Sequence, residues 1–435
     1  MSVESDPVII DLALERGEPE SYHSPRRATT PIWFPVAILA ALVLLCTSAS
    51  AAPARSPLSP VMSLPVGPAD AYLLTDTGQL LAQTFGTLSS YDLRTGRVRW
   101  QAGQSSPAYR MRLSDGLILM RPWSTSSDDS GTTAISAVNG ESLWQRPGRI
   151  VTLPGSSALL AVSTVPSLGG IGRRVEGSIN AVDPATGRSR WTVQVPSTAV
   201  LLGLPGPADE GARMLLVHDN RTLAEHDLDT GRQLASTRIP AADYNPGNPV
   251  VAGGQILLRH PGAWGAEVSA YDPVTLRQRW TEPAGQAYQV VPCGQLACLT
   301  GPDGVRAVDP MTGDVRWSRP RWRDIGQYGA MVIAYQGPEE SDPVGIIDPR
   351  TGTVRVGLDG WHPVTGSGGT DHLLLTRAVR PGAQIMVAVA RPDQPQLRVL
   401  AGLPVGTGDC QAVPARLVCR SMYGELKVWA YKQQQ

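Results

Sequence analysis

A ten-residue phrase, YDLRTGRVRW from Tyr91 to Trp100, returns along the chain at a nearly fixed interval, and this limits the fold more than any other feature. AVDPATGRSRW ends at Trp191, AVDPMTGDVRW ends at Trp317, and AYDPVTLRQRW ends at Trp280 with Leu276 in the glycine position. Looser copies lie between them. AVNGESLW sets Gly140 ahead of Trp144, EHDLDTGRQLA carries Ala235 where tryptophan is expected, and GIIDPRTGTVRV carries Val356 there. A last copy, ARPDQPQLRV, has Pro395 in the glycine position. The markers stand at 96, 140, 187, 231, 276, 313, 352 and 395, roughly 43 residues apart. A period in the forties means one supersecondary unit stacked many times.

The unit is conformational before it is chemical. Asp92, Asp183, Asp227, Asp272, Asp309 and Asp348 open each turn, where a carboxylate accepts from backbone N–H groups just ahead. Gly96, Gly140, Gly187, Gly231, Gly313 and Gly352 supply the left-handed position that closes a short hairpin loop. The residues that follow alternate, so that Val98 and Trp100 point one way and Arg97 and Arg99 the other. Trp100, Trp144, Trp191, Trp280 and Trp317 then read as packing anchors between neighbouring sheets.

Between Trp280 and Trp317 four short apolar runs, AYQVVPCG, QLACLTG, GVRAVDP and GDVRWSRP, are separated by turn residues. Four antiparallel strands per period, repeated radially, predict an all-β propeller. The repeat A-x-D-x-x-T-G-x-x-x-W resembles the tryptophan-docking repeat of the PQQ-like β-propellers over about residues 58 to 432. That family includes quinoprotein alcohol dehydrogenases and the lipoprotein of the bacterial outer-membrane assembly machinery, and the likeness here is to its membrane-anchored, non-enzymatic branch. Eight markers fit the eight blades that the resemblance implies, with seven or nine as alternatives. CQAVPARLVCRSMYGELKVWAYK, from Cys410, reads as three further strands: either the copy at 395 is false, or these strands close a sheet with VMSLPV near residue 61 and make a ninth. Joining the two ends removes an open edge.

The N-terminus sets the expected compartment. An uncharged stretch, PIWFPVAILAALVLLCTSASAA, follows Arg26 and Arg27, and predicts a membrane helix over 31–53 after a tail over 1–30. A linker over 54–59 and a propeller over 60–432 complete the division, with the propeller outside the cytoplasm. The alternative is a cleaved secretory signal with Ala49-Ser50-Ala51 at the processing site. The pairs Cys293/Cys298 and Cys410/Cys419 each flank the first hairpin of a sheet and are expected to form disulfides, as an oxidising compartment permits.

Net charge is zero and Lys427 and Lys432 are the only lysines, so the chain lacks the bulk basic footprint of a nucleic-acid binder. A dehydrogenase of the family is expected to carry an adjacent Cys-Cys pair, calcium ligands and a catalytic Asp, and none is matched here. No G-x-S-x-G, P-loop or H-E-x-x-H motif occurs. No enzyme activity, PQQ or metal site is therefore expected.

The repeated turns occupy one face of the disc, and the longer connections occupy the other. Arg121, Trp123, Arg173, Arg174, Trp264, Trp322 and Arg323 fall on those connections, and tryptophan and arginine are enriched at binding hot spots. The reading is a membrane-anchored, extracytoplasmic module that binds an envelope protein or serves as a scaffold. The alternative is an enzyme or sensor that takes a quinone or sugar in the central funnel.

Overall fold

The computed structural model describes residues 33–49, 57–103, 110–121, 131–154, 156–164, 173–204, 211–338, 340–366, 372–380 and 384–431. The chain separates into residues 1–55 and 56–435. In the first part a helix runs from Phe34 to Ala49. At ~1.5 Å per residue these sixteen residues reach about 24 Å, against about 30 Å for a hydrocarbon core. Among the described residues no helix is long and apolar enough to cross a membrane. The tail over 1–30 and the ends of the span expected over 31–53 lie outside the described residues.

The second part is built of antiparallel β-sheet. Its described strands form eight hydrogen-bonded sheets, seven of four strands and one of seven. The seven-strand sheet is two four-strand units sharing one long strand, Ser189–Leu204. The first half of that strand pairs with Gly177–Val182, and its second half pairs with Arg213–His218. The units in chain order span 72–103, 110–146, 149–204, 189–238, 249–285, 289–319, 324–357 and 362–402. The last unit joins 407–431 to the strand Leu58–Pro65, with Leu58 opposite Tyr431 and Pro65 opposite Glu425. That strand begins inside the linker expected over 54–59.

Within each unit the first three strands carry most of the core, and the fourth is the most exposed. Met331–Tyr335, a second strand, is buried throughout, whereas Val98–Gly103, a fourth strand, alternates between exposed and half-buried residues. Neighbouring units bury their facing surfaces in shared apolar clusters. One holds Ile333 and Tyr335 of one unit with Trp361, Leu373 and Leu375 of the next. First strands also meet directly: Arg112 Nη2 donates to the Ile150 carbonyl at 3.1 Å, and Thr365 bridges to Gln411. Arg416 Nε donates to the Leu93 carbonyl at 2.8 Å and ties the last unit to the first. These are propeller blades, with the two ends of the chain paired in one sheet.

Both expected disulfides are present. Cys293–Cys298 crosses the hairpin of Gln289–Cys293 and Leu296–Gly301, and Cys410–Cys419 joins directly opposed residues of Thr407–Val413 and Arg416–Ser421.

Candidate functional site

Every marker lies between the third and fourth strands of a unit, and its chemistry is spent on the turn and on the preceding unit. In the first turn Asp92 Oδ1 accepts from the amides of Arg94 and Thr95 at 2.8 and 3.0 Å, while Gly96 N–H donates to the Asp92 carbonyl at 2.7 Å. Asp92 Oδ2 takes Arg99 at 3.0 Å, and Asp309 and Asp348 take Arg316 and Arg355 in the same way. Arg99 first, then the two amides, hold the Asp92 carboxyl down at about 2. The turn amides, led by Thr275, and the Arg279 guanidinium likewise hold Asp272 at about 2. These aspartates are turn locks.

Each indole docks on the turn of the following unit. Trp100, Trp144, Trp280 and Trp317 donate Nε1–H to the carbonyls of Ala137, Pro184, Pro310 and Pro349 at 3.1, 2.8, 2.9 and 2.8 Å. Their rings lie over the glycines of those turns. A Cβ at Gly352, whose φ is +62°, would come within 2.6 Å of the Trp317 ring. Trp191 covers Gly231 in the same manner, although its Nε1 finds no acceptor. Where Ala235 replaces tryptophan, the next turn carries buried Leu276 at φ +52° instead of glycine. Ala235 packs against the apolar cluster that contains Leu276, so the isobutyl group fills the place of a missing indole.

The other face carries the second-to-third-strand connections and the links between units. There the seven residues singled out from the sequence separate into distinct environments. Trp264 stands at the tip of the hairpin formed by Gln255–Gly262 and Gly265–Tyr271 and is 100% exposed. Trp322 is not exposed as expected. It is 6% accessible, with its ring 5.9 Å from Trp317 in an edge contact and Arg319 beside both indoles. Arg323 is half-buried and donates to the carbonyls of Pro320 and Trp322, which makes it part of the same cap. Arg174 reaches Asn245, Asp219 and Asp243 at 2.7, 2.9 and 2.6 Å and clamps two connections together. Trp123 lies outside the described residues. Arg121 and Arg173 come together at a cavity.

That cavity, about 870 Å³, sits where the first strands of several units begin. Arg110, Arg112, Arg121, Arg149, Arg173 and Arg420 line it, against the two acids Asp70 and Asp409. The acids are partly engaged: Asp409 Oδ2 meets Arg420 Nε at 3.3 Å, and Asp70 Oδ2 accepts from the Gly67 amide at 2.7 Å. Arg420 also lies over the Tyr72 ring, 5.2 Å from its centre. Burial and the neighbouring charges of Arg173, Arg121, Arg110 and Arg112 together push Arg149 down to about 10. Burial and Arg173 push Arg112 down as well. The arrangement is an arginine-lined basin in which Asp409 is engaged by Arg420.

Arg110, Arg112, Arg149 and Arg420 were not singled out from the sequence. Three of them lie near the start of a first strand, in YRMRLS and PGRIV. An arginine at such a position adjoins the loop-bearing end of the inner strands, and that placement is the signal that finds it.

Over residues 48–173 and 175–325 the sequence matches the family described as outer membrane protein assembly factor BamB. The chain belongs to that family of PQQ-like β-propellers. BamB from Moraxella catarrhalis is similar at 14% identity, covering 86% of this chain and all of that one, with a TM-score of 0.41. A quinohemoprotein alcohol dehydrogenase from Pseudomonas putida is similar at 14% identity over 64% of this chain and 71% of that one, with a TM-score of 0.32. No curated protein matches the chain.

Proposed function

We propose that the chain is a non-enzymatic protein-binding module of the cell envelope, held at the membrane by its apolar N-terminal segment with the propeller outside the cytoplasm. Its family is described by an assembly factor, which fits a role in holding other proteins. We also read the four-strand units as blades of one closed ring, the seven separate sheets plus the two halves of the seven-strand sheet making nine. One observation carries the functional reading: the two faces of the disc are chemically unlike. On one, recurrent aspartates, glycines and indoles are used up in docking unit to unit; on the other, six arginines converge on a cavity of about 870 Å³.

The residues at this basin do not fit PQQ held with calcium. Asp409 is paired with Arg420, Asp70 caps a turn, and both disulfides cross hairpins instead of linking adjacent cysteines. Among the described residues no group of three His, Cys, Asp or Glu side chains is placed to hold a metal ion.

The test is site-specific photo-crosslinking of the full-length chain in its own cells. A crosslinker replacing Trp264, on the loop-bearing face, is expected to trap a discrete protein adduct, and one replacing exposed Ala185, on the turn face, is not. Absence of an adduct from position 264, or an equal adduct from position 185, overturns the reading. So does a saturable rise in melting temperature with PQQ plus calcium, which favours the enzyme or sensor alternative.

A further inference from the structure

We propose that the loop-bearing face recognises an extended partner segment that is acidic at one end and apolar at the other, a deepening that rests on the protein-binding reading above. Two adjoining cavities carry it. The arginine-lined basin shares Pro68, Asp409 and Arg420 with a second cavity of about 670 Å³. Ile385, Met422 and Tyr423 line that neighbour, which has no arginine besides the shared Arg420. Met422 and Tyr423 are 76% and 70% exposed, an unusual cost for a thioether and a phenol side by side on a surface turn.

The basin calls for anions. Arg149 and Arg173 make no ion pair with any described residue, while Asp409, one of the two acids of the lining, is already engaged by Arg420. Burial first, and then the neighbouring guanidinium groups, depress Arg149, and carboxylates that enter offset both because opposite charge at short range favours the charged form. Guanidinium groups suit carboxylates because they bind them in a two-pronged geometry. A polypeptide is the occupant that brings carboxylates and, a few residues away, the apolar side chains that Met422 and Tyr423 await. Nucleic acid fits less well, since among the described residues of the lining the only aromatic ring is Tyr72, and Arg420 already lies over it.

The probe is a fluorescein-labelled peptide of about ten residues, a run of glutamates followed by leucine and tryptophan, titrated against the full-length chain by fluorescence anisotropy. Saturable binding that weakens as salt rises from about 50 to about 500 mM is expected. Arg149→Glu is expected to weaken it by about tenfold or more, the scale of a partly desolvated charge pair, and Arg173→Glu, at an exposed position, by severalfold. Met422→Asp is expected to cost about tenfold through the lost apolar contact. Arg149→Gln, which keeps most of the side-chain volume, covers the case in which the charge reversal prevents folding, and should also weaken binding severalfold.

Equal binding by wild type and Arg149→Gln overturns the proposal, as does equal affinity for a peptide with lysines in place of the glutamates. Tighter binding of a single-stranded oligonucleotide or of phosphatidylserine vesicles at the same basin overturns it in favour of another polyanion. If the crosslinked adduct at position 264 persists while the peptide fails to bind, the acidic-segment inference alone falls. If no adduct forms, the protein-binding reading falls first.

Discussion

Ala235 and Leu276 are exchanged relative to the Trp–Gly pairs at the corresponding places in other units, and undoing the exchange measures how far the docking rule reaches. Leu276 is 1% exposed and sits in the left-handed region at φ +52°. Leu276→Gly removes a buried side chain of the size whose loss costs about 3–5 kcal/mol on truncation to alanine. Relief of the left-handed backbone returns about 1–2 kcal/mol, leaving a net loss of about 2–3. Ala235→Trp alone drives an indole into the Leu276 side chain and costs about 1–3 kcal/mol of overpacking. Together the two changes recreate a Trp over a Gly, with the indole N–H directed at the turn carbonyl as Trp317 is at Pro349. The double variant is expected within about 1 kcal/mol of wild type, so the pair should couple by about 2–6 kcal/mol. Calorimetry or a denaturant series on all four proteins gives the cycle. The single variants should melt a few degrees lower, at ~1–2 °C per kcal/mol for a folded unit running from Ser56 to Gln435, and the double should regain most of that. Losses that add to within ~0.5 kcal/mol would refute the claim that glycine at the marker is dictated by the neighbour's indole.

The turn aspartates make acid sensitivity predictable. Their carboxyls are held low in the folded protein, at about 2 for Asp92 and Asp272, so the stability they add is complete above the unfolded value near 4 and is lost as pH falls through about 2. Asp272→Asn should flatten the decline of melting temperature between about pH 4 and pH 2, and an unchanged slope would show that the turn carboxylate is not responsible. The two disulfides close short loops, with sequence separations of 5 and 9. Each is therefore worth about 2–3 kcal/mol by loop entropy. Replacing both cysteines of one pair by serine should lower the melting temperature measurably under non-reducing conditions, and reducing agent should then have a smaller effect on the variant than on the wild type.

Much of this architecture was legible because its signals are local. Asp, Thr and Gly within five residues define a turn whatever surrounds it, and each of the eight markers falls between a third and a fourth strand, even the one with Pro395. The last unit carries no marker for a physical reason: its third and fourth strands, Glu425–Tyr431 and Leu58–Pro65, come from opposite ends of the chain and need no turn. The long strand Ser189–Leu204 was also hidden, since Pro196 and Ser197 read as a break, yet the chain runs on and serves two units. Trp322 was misjudged because loop position suggested exposure, whereas Trp317, five residues earlier, offers an indole edge that buries it. The arginine basin was only half visible. Arg121 and Arg173 lie on long connections, but Arg110 meets Arg121 as its cross-strand partner, Arg149 stands in the same unit as Arg173, and Arg420 arrives from the far end of the chain.

The same geometry explains why variation is confined to one side. Where a unit docks through an indole, its turn places a left-handed glycine beneath the ring and, at Pro184, Pro310 and Pro349, offers a carbonyl to the indole N–H, which holds those marker turns to one length. The second-to-third-strand connections carry no such duty. They extend freely, as the hairpin does that lifts Trp264 into solvent. Substitution at Arg149 or Arg173 therefore disturbs no docking contact between units, whereas substitution at Gly352 or Trp317 breaks one. Recognition has room to evolve on the face where the ring makes no demands, and there the arginines of the basin have gathered.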